Sequence, residues 1–600
     1  MRKSFVVLLV LFISFVSSGS FAPTPVDKQN IDFLRSKSVE LKSLYESLET
    51  SLEYLQTFSK FEKASPLHLD SDDGENELTY WHLQGPNQKK HFEGIDVESL
   101  QQVALTKKGS PVLYAVLDGG VNINHEAIKD YVFTNTRETL NGLDDDGNGL
   151  IDDVHGWDYV GQNVGSDSME LTREFVRCSK LSQKDSYCSD MIAVYTYQKA
   201  QVEKTVADLD ATIARVEEVQ KQIKQMIGDE TYQGNIELIS VIENYFYAKD
   251  EKFGTYFTTY YVPPTRAKGL RNFIHGFLDY YDTSAKKVEK QTQGYDGTLT
   301  DTVYGNNLPI GPDPSHGTHV AHTVIKVFET ALGEKLAKKY LRLLPVRVVP
   351  DGDERDIDVA NAINYAVSMG ARIIQMSFGK DYSSLGGKEL VDAAVANGLA
   401  KGVIFVHSAG NDGRVISAND NFPNGYHKKE KTFFTNWVEI GNSTHTAKFE
   451  DSENPYRIQS IAATSSNFGS MVDIFAPGSE VYAAYSEKAE ETTRYKFLTG
   501  TSMASPVFSG VLAVMLYQYG YLDPVKLKDA IIGAARKTQS DAPVVFWERL
   551  HHGSYGKNFE LLIEGEDYKR VDMHFGETSK SGGLLDAHQA VCSVMELEGC

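Results

Sequence analysis

The chain has 600 residues, 82 acidic and 60 basic, and a formal charge of −22. An acidic excess of that size argues against a nucleic-acid backbone or an anionic membrane surface as the main partner. With 41% hydrophobic and 24% charged residues the composition excludes a disordered or fibrous chain, and at roughly 150 residues per domain the length allows up to four domains.

Residues 1–22 read as a signal peptide. Arg2 and Lys3 precede an apolar run from Phe5 to Val16, and Ser17, Ser18, Gly19, Ser20 and Ala22 supply the small side chains that signal peptidases need. The run falls short of the ~20 residues a bilayer span requires, and no other apolar stretch approaches that length. The mature chain is therefore expected to be exported, secreted or periplasmic, and the absence of a cysteine near the cleavage point favours release over anchoring. Export makes disulfides the natural reading of the four cysteines. Two local loops, Cys178 with Cys188 and Cys592 with Cys600, are the simplest of three pairings. Unpaired thiols are the alternative, and metal ligation lacks a C-x-x-C pair.

Residues 23–77 read as a helical leader or prosegment, with Leu41, Leu44, Leu48, Leu52 and Leu55 at spacings of three and four before the polar linker Asp70 to Asn76. Short apolar runs typical of buried parallel strands follow at Val112 to Leu117, Leu341 to Val349, Arg372 to Phe378, Val403 to His407 and Val472 to Phe475. Helical patterns lie between several of them, as at Asp356 to Met369 and Lys388 to Ala400, closed by Gly370 and Gly402. Strand and helix in alternation predict an α/β fold with a mostly parallel sheet covered on both faces. One insertion, residues 165–307, interrupts it. Val202, Val206, Leu209, Ile213, Val216, Ile223 and Ile227 keep a helical seam with Gln220 as its polar member, Gly228 and Gly234 frame a turn, and Ile236 to Tyr247 repeats the pattern. A helical hairpin followed by an aromatic-rich, irregular stretch is expected.

Three segments carry chemistry. Asp118 follows the first buried strand, at the carboxyl end where open α/β sheets place their sites, and Gly119 and Gly120 permit a sharp turn after it. His316 stands in Ser315, His316, Gly317, Thr318, His319, Val320, Ala321, which opens a helix; histidines at i and i+3 could also bind a metal, but no H-E-x-x-H arrangement accompanies them. Ser502 stands in Gly500, Thr501, Ser502, Met503, Ala504, Ser505, Pro506, leading into the apolar helix Val507 to Leu516. A serine at a helix N-terminus gains from the exposed amides and positive dipole end, which stabilise a nearby oxyanion. A serine hydroxyl needs an imidazole to take its proton, and the imidazole needs a buried carboxylate to hold its tautomer. Ser502 is thus the expected nucleophile, His316 the general base and then acid, and Asp118 the orienting carboxylate.

These segments, in this order, resemble the subtilisin-like serine proteases, or subtilases. Ser408, Ala409, Gly410, Asn411, Asp412 is similar to the family's oxyanion asparagine segment, so the resemblance implies that the Asn411 amide and the Ser502 backbone N–H hold the tetrahedral oxyanion. Ser377, Phe378, Gly379 resembles the strand that pairs with substrate backbone, and Ser581 to Ala587 resembles the family's closing helix. The resemblance implies a subtilisin-like three-layer sandwich over residues 78–600, swollen by the insertion between Asp118 and His316. It departs from the pattern where Gly119 replaces the usual Ser or Thr and where His322 replaces a glycine.

An acidic loop, Asp144, Asp145, Asp146, Gly147, Asn148, Gly149, Leu150, Ile151, Asp152, Asp153, places oxygens at alternate positions with a glycine at the sixth, like the start of a calcium loop. His155 stands where an EF-hand has glutamate, so the loop is not a standard EF-hand. Asp144, Asp146, Asn148, the main chain of Leu150, and Asp152 or Asp153 are the expected Ca2+ ligands, and similar acidic loops in subtilases are tied to calcium. The expected function is a secreted serine endopeptidase acting on protein or peptide substrates. The alternative is a weak or inactive subtilase scaffold that binds partners through its helical insertion.

Overall fold

Val112–Asp118 (β1) is buried along almost its whole length. Tyr114 and Val116 enter one hydrophobic cluster and Ala115 and Leu117 the other, so alternate residues feed cores on opposite faces. Such a strand sits inside a sheet, and in the computed structural model β1 is the third of seven strands. The structure describes residues 36–37, 39–48, 51–52, 78–86, 93–103, 105–106, 108–161, 167–227, 264–419, 421–445, 461–537, 543–549 and 568–594. The expected signal peptide, the expected turn and second insertion helix at 228–247, and Cys600 lie outside the described residues.

The other strands are Trp157–Asp158 (β2), Leu341–Arg347 (β3), Ile373–Met376 (β4), Ile404–Ser408 (β5), Trp437–Ser443 (β6) and Ile474–Pro477 (β7). Their order is β2-β3-β1-β4-β5-β6-β7, and every neighbouring pair is parallel. The chain leaves β1 toward β3 on one side and later returns to add β4 on the other. The end of β1 is therefore a switch point, where the crossovers diverge and a crevice opens.

Helices cover both faces. Ser315–Leu332 and Thr501–Tyr519 pack with Val320, Val324, Val507 and Val511 in the cluster that receives Tyr114, while Asp356–Ser368 and Gly387–Ala400 supply Ile363, Ala366, Val391 and Val395 to the opposite one. Three layers result, the α/β sandwich that the resemblance implies. At the sheet's end Leu585 N bonds Phe475 O at 2.8 Å, which seats the tail before the final helix Ala587–Val594.

By its contacts the chain divides into Met1–Tyr54 with Lys204–Ile274, and Leu55–Glu203 with His275–Cys600. In the first unit Leu41, Leu48 and Leu52 are buried, as are Val206, Leu209, Ile213, Val216 and Val219 of the long helix Ser186–Ile227. Arg215 donates to Glu40 at 2.7 Å, and Arg271 pairs with Glu217 at 2.8 Å. In the second unit the insertion is rooted by the helix Glu170–Ser179, and the Cys178–Cys188 disulfide joins it to the start of the long helix. Part of the stretch expected to be irregular is the helix Pro264–Asp279, whose Ala267, Leu270, Ile274 and Phe277 are buried at spacings of three and four.

Candidate active site

Asp118 closes β1 with 1% exposure, and its Oδ1 accepts the N–H of Gly119 at 2.7 Å. The loop that follows passes tightly under the Ser315–Leu332 helix. A Cβ on Gly317 would lie 2.1 Å from Gly120 O and 3.0 Å from the Asp118 Cβ, so only glycine lets this helix descend onto the strand end. That descent brings His316 to Asp118: its Nδ1 lies 2.9 and 3.0 Å from the two carboxylate oxygens. A carboxylate only accepts, so Nδ1 carries the proton and Nε2 is the basic nitrogen. Arg347 braces the loop from below, donating to Gly119 O at 3.1 Å and pairing with buried Asp158 at 3.1 Å.

Ser502 lies in the first turn of the Thr501–Tyr519 helix with 7% exposure, and its Oγ donates to Ser377 O at 3.3 Å. Its backbone N–H, one of the first-turn amides a helix leaves unpaired, has no hydrogen bond among the described residues. Asn411 is held beside it by its carbonyl end: Oδ1 accepts Thr501 N at 2.9 Å and Thr501 Oγ1 at 3.1 Å. The amide nitrogen of Asn411 is thereby left to donate elsewhere. Gly410 N in turn donates to Thr501 Oγ1 at 3.1 Å, which ties the loop after β5 to the serine helix. Behind Ser377 and Phe378, His407 Nε2 meets Phe378 O at 2.6 Å and Nδ1 meets Glu439 at 2.7 Å, with Trp437 and Asn421 completing the Glu439 carboxylate.

Two other histidines of the His316 helix are inward-facing. Burial, together with the nearby His316, depresses His319 to about 3, although its Nε2 donates to Val481 O at 2.9 Å. His322, standing where the resemblance would put glycine, is neither crowded nor exposed: Ala484 N donates to its Nδ1 at 3.0 Å and Tyr495 meets its ring edge-on.

Of the acidic loop, Asp144 and Asp146 come together, and Glu138, which loop spacing did not indicate, joins them with one oxygen from each within 4.8 Å. Glu138 is 6% exposed and accepts Asp146 N at 2.7 Å and Asp152 N at 3.2 Å, so it faces the loop from the preceding turn. The other expected ligands lie in the same hydrogen-bonded loop, as Asp144 does, whose carboxylate accepts Gly147 N and Gly149 N. Asn148 Oδ1 accepts Leu150 N, Asp152 accepts the amides of Asn141 and Gly142, and Asp153 accepts from Asn135 and Asn148.

The chain matches the model of the subtilase family over residues 109–546. Curated relatives include thermitase of Thermoactinomyces vulgaris, 30% identical over 34% of this chain and 61% of that protein, and subtilisin DY of Bacillus licheniformis, 28% identical over 37% and 70%. The extracellular serine proteinase of Thermus sp. strain Rt41A is 29% identical over 36% of this chain and 45% of its own. The chain thus spans well under the full length of several relatives it matches. Among solved structures, a cold-adapted subtilisin-like serine proteinase is 25% identical over 40% of this chain and 75% of that one, with a TM-score of 0.30.

Proposed function

Because this chain belongs to the subtilase family, we propose that it is a serine-type endopeptidase whose triad is Asp118, His316 and Ser502. The observation that carries the reading is the pairing of His316 Nδ1 with both oxygens of buried Asp118; the serine segment adds a hydroxyl in the first turn of a helix. The Ser502 hydroxyl leaves its weak contact with Ser377 O, gives its proton to His316 Nε2 and attacks the scissile carbonyl carbon. The resulting oxyanion takes hydrogen bonds from the Ser502 N–H and the Asn411 amide. His316 passes the proton to the leaving amine, and water repeats the sequence on the acyl-enzyme. Protein or peptide substrates follow from that chemistry.

The acidic loop supports a structural Ca2+. Three carboxylates with one oxygen from each within 4.8 Å repel one another, a repulsion that Arg137 offsets only in part at Asp146, and hard oxygen donors suit calcium. Glu138, Asp144 and Asp146 are the residues that would hold it. Domain organisation is read as signal peptide 1–22, leader 23–77 and peptidase domain 78–600 with the insertion 165–307. Export is supported by the charged and apolar start of the chain and by exported relatives, and among the described residues no helix is long and apolar enough to cross a membrane.

Replacing Ser502 by alanine tests the assignment. Ser502→Ala is expected to abolish cleavage of denatured casein while leaving the melting temperature within a few degrees of the parent. A fluorophosphonate should label the parent at Ser502 and not the variant. Equal cleavage by both proteins, or an unlabelled parent, would remove Ser502 as nucleophile.

A further inference from the structure

Pro506 stands four residues after Ser502 inside the same helix and has no N–H. The carbonyl of Ser502 therefore lacks the partner that an α-helix normally supplies from position i+4. A buried orphan carbonyl beside the reacting hydroxyl is costly and poorly held. Here it is satisfied from the sheet: Ser377 Oγ donates to Ser502 O at 3.0 Å.

The proton directions of the surrounding groups follow from that bond. Having given its only hydrogen to Ser502 O, Ser377 Oγ must accept in its contact with Ser505 Oγ at 3.0 Å, so Ser505 donates. The two hydrogens of Gln375 Nε2 go to Ser377 Oγ at 2.9 Å and Ser505 Oγ at 2.7 Å. Gln375 Oε1 accepts from Ser509 Oγ at 2.6 Å. Gln375, Ser377, Ser505 and Ser509 are each 0% exposed. Every donor in this set points one way, from Ser509 through Gln375 to Ser377 and so onto the peptide group of Ser502. Turning the Gln375 amide over would set its oxygen against Ser377 Oγ, whose hydrogen is already given to Ser502 O, and would draw the Ser505 hydrogen away from Ser377, so this orientation is the one that satisfies Ser377.

We propose that Gln375 is a positioning residue for the nucleophile: by fixing the Ser377 hydroxyl under the Ser502 carbonyl, it sets the first turn of the serine helix against the strand bearing Ser377. The inference rests on the reading of Ser502 as nucleophile. Gln375 lies on β4, in the sheet layer beneath the helix, and touches neither Ser502 nor substrate. It acts through Ser377, whose carbonyl also receives the resting Ser502 hydroxyl. A strand and a helix are thereby locked in one register at the first turn of the serine helix.

Gln375→Met keeps the length of the side chain and removes its donors and acceptor. The readout is kcat on denatured casein per fluorophosphonate-titrated site, with KM and melting temperature measured alongside. A fall in kcat of about 10- to 100-fold with KM within twofold is expected, since misplacement by a fraction of an ångström to one ångström costs that much. A merely structural role would lower the melting temperature and the fraction of labelled sites but leave kcat per labelled site unchanged, and that result overturns the proposal. The triple variant Gln375→Met, Ser505→Ala, Ser509→Ala removes the hydroxyls left without partners. It is expected to recover the melting temperature and not kcat; a triple variant within twofold of the parent kcat also overturns the proposal. Ser509→Ala, the mildest change, is expected to lower kcat a few-fold, and decides the matter if the larger changes fail to fold. An unlabelled parent, by contrast, defeats the nucleophile assignment itself.

Discussion

Glu138 accepts the amides of Asp146 and Asp152 while sharing a 4.8 Å cluster with the carboxylates of Asp144 and Asp146. Arg137, at 3.0 Å from Asp146, offsets part of that charge but is itself half exposed. A calcium ion bound there stabilises the fold by mass action, about 2.7 kcal/mol when free calcium is a hundredfold above Kd. Chelator should therefore lower the melting temperature of the parent, and Glu138→Gln, which removes one charge and keeps one acceptor oxygen, should shrink the chelator-dependent drop. A parent whose melting curve is indifferent to chelator would remove calcium from the loop. At this scale the sequence displayed Asp118, His316, Ser502 and Asn411 because each lies in a contiguous motif. Glu138 has no such frame: it reaches the loop through a turn and is six positions before Asp144. Gln375 was equally silent, since nothing in an apolar strand says which buried amide will meet a proline-orphaned carbonyl.

The helix Glu170–Ser179 is tied to the segment after β4 through one buried ionic group. Glu170 accepts from Lys380 at 2.9 Å and from Arg173 at 2.8 Å, and Lys380 also meets Asp356 at 3.0 Å. Burial alone would push the Glu170 carboxyl up, yet the two cations hold it well below the usual carboxylate range. Lys380 directly follows Ser377, Phe378 and Gly379, and its backbone bridges Phe422 in both directions at 2.8 and 2.7 Å. Glu170→Ala leaves Lys380 and Arg173 buried with less compensation, a change on the order of 3–5 kcal/mol. The expected outcome is a lower melting temperature and a KM raised more than kcat is lowered; an unchanged melting temperature would show the group to be dispensable. The sheet's strands were legible where they were apolar, and their ends shifted by one or two residues. β6 was not, because Glu439, Asn442 and Ser443 are polar, and what keeps Glu439 in the core is its tertiary partners, His407 at its carboxylate and Asp473 at its N–H. The helix Pro264–Asp279 was hidden by its glycines and aromatics, although its buried face keeps helical spacing.

For the whole molecule, lowering pH sets two effects against each other. With a formal charge of −22, protonating surface carboxylates reduces self-repulsion and favours the compact state. The buried histidines act in the opposite direction. His82 is 1% exposed, neither of its ring nitrogens has a hydrogen-bond partner among the described residues, and burial, with His319 and Lys326 nearby, depresses it to about 3. His319 is likewise depressed to about 3, and burial drives His322 well below its ordinary value of 6.5. Between 6.5 and 3 the unfolded chain binds more protons than the folded one, so stability falls as pH falls through that window. Each such histidine costs about 1.4 kcal/mol per pH unit, hence about 2 kcal/mol at pH 5. His82 and His319 together outweigh the surface term, whose carboxylates are mostly still ionised at pH 5. The melting temperature is therefore expected to drop between pH 7.5 and 5 rather than rise. His82→Leu, an apolar replacement at a site offering no polar partner, should flatten that dependence with little change at pH 7.5. A variant that loses as much on acidification as the parent would mean that His82 does not stay neutral in the fold.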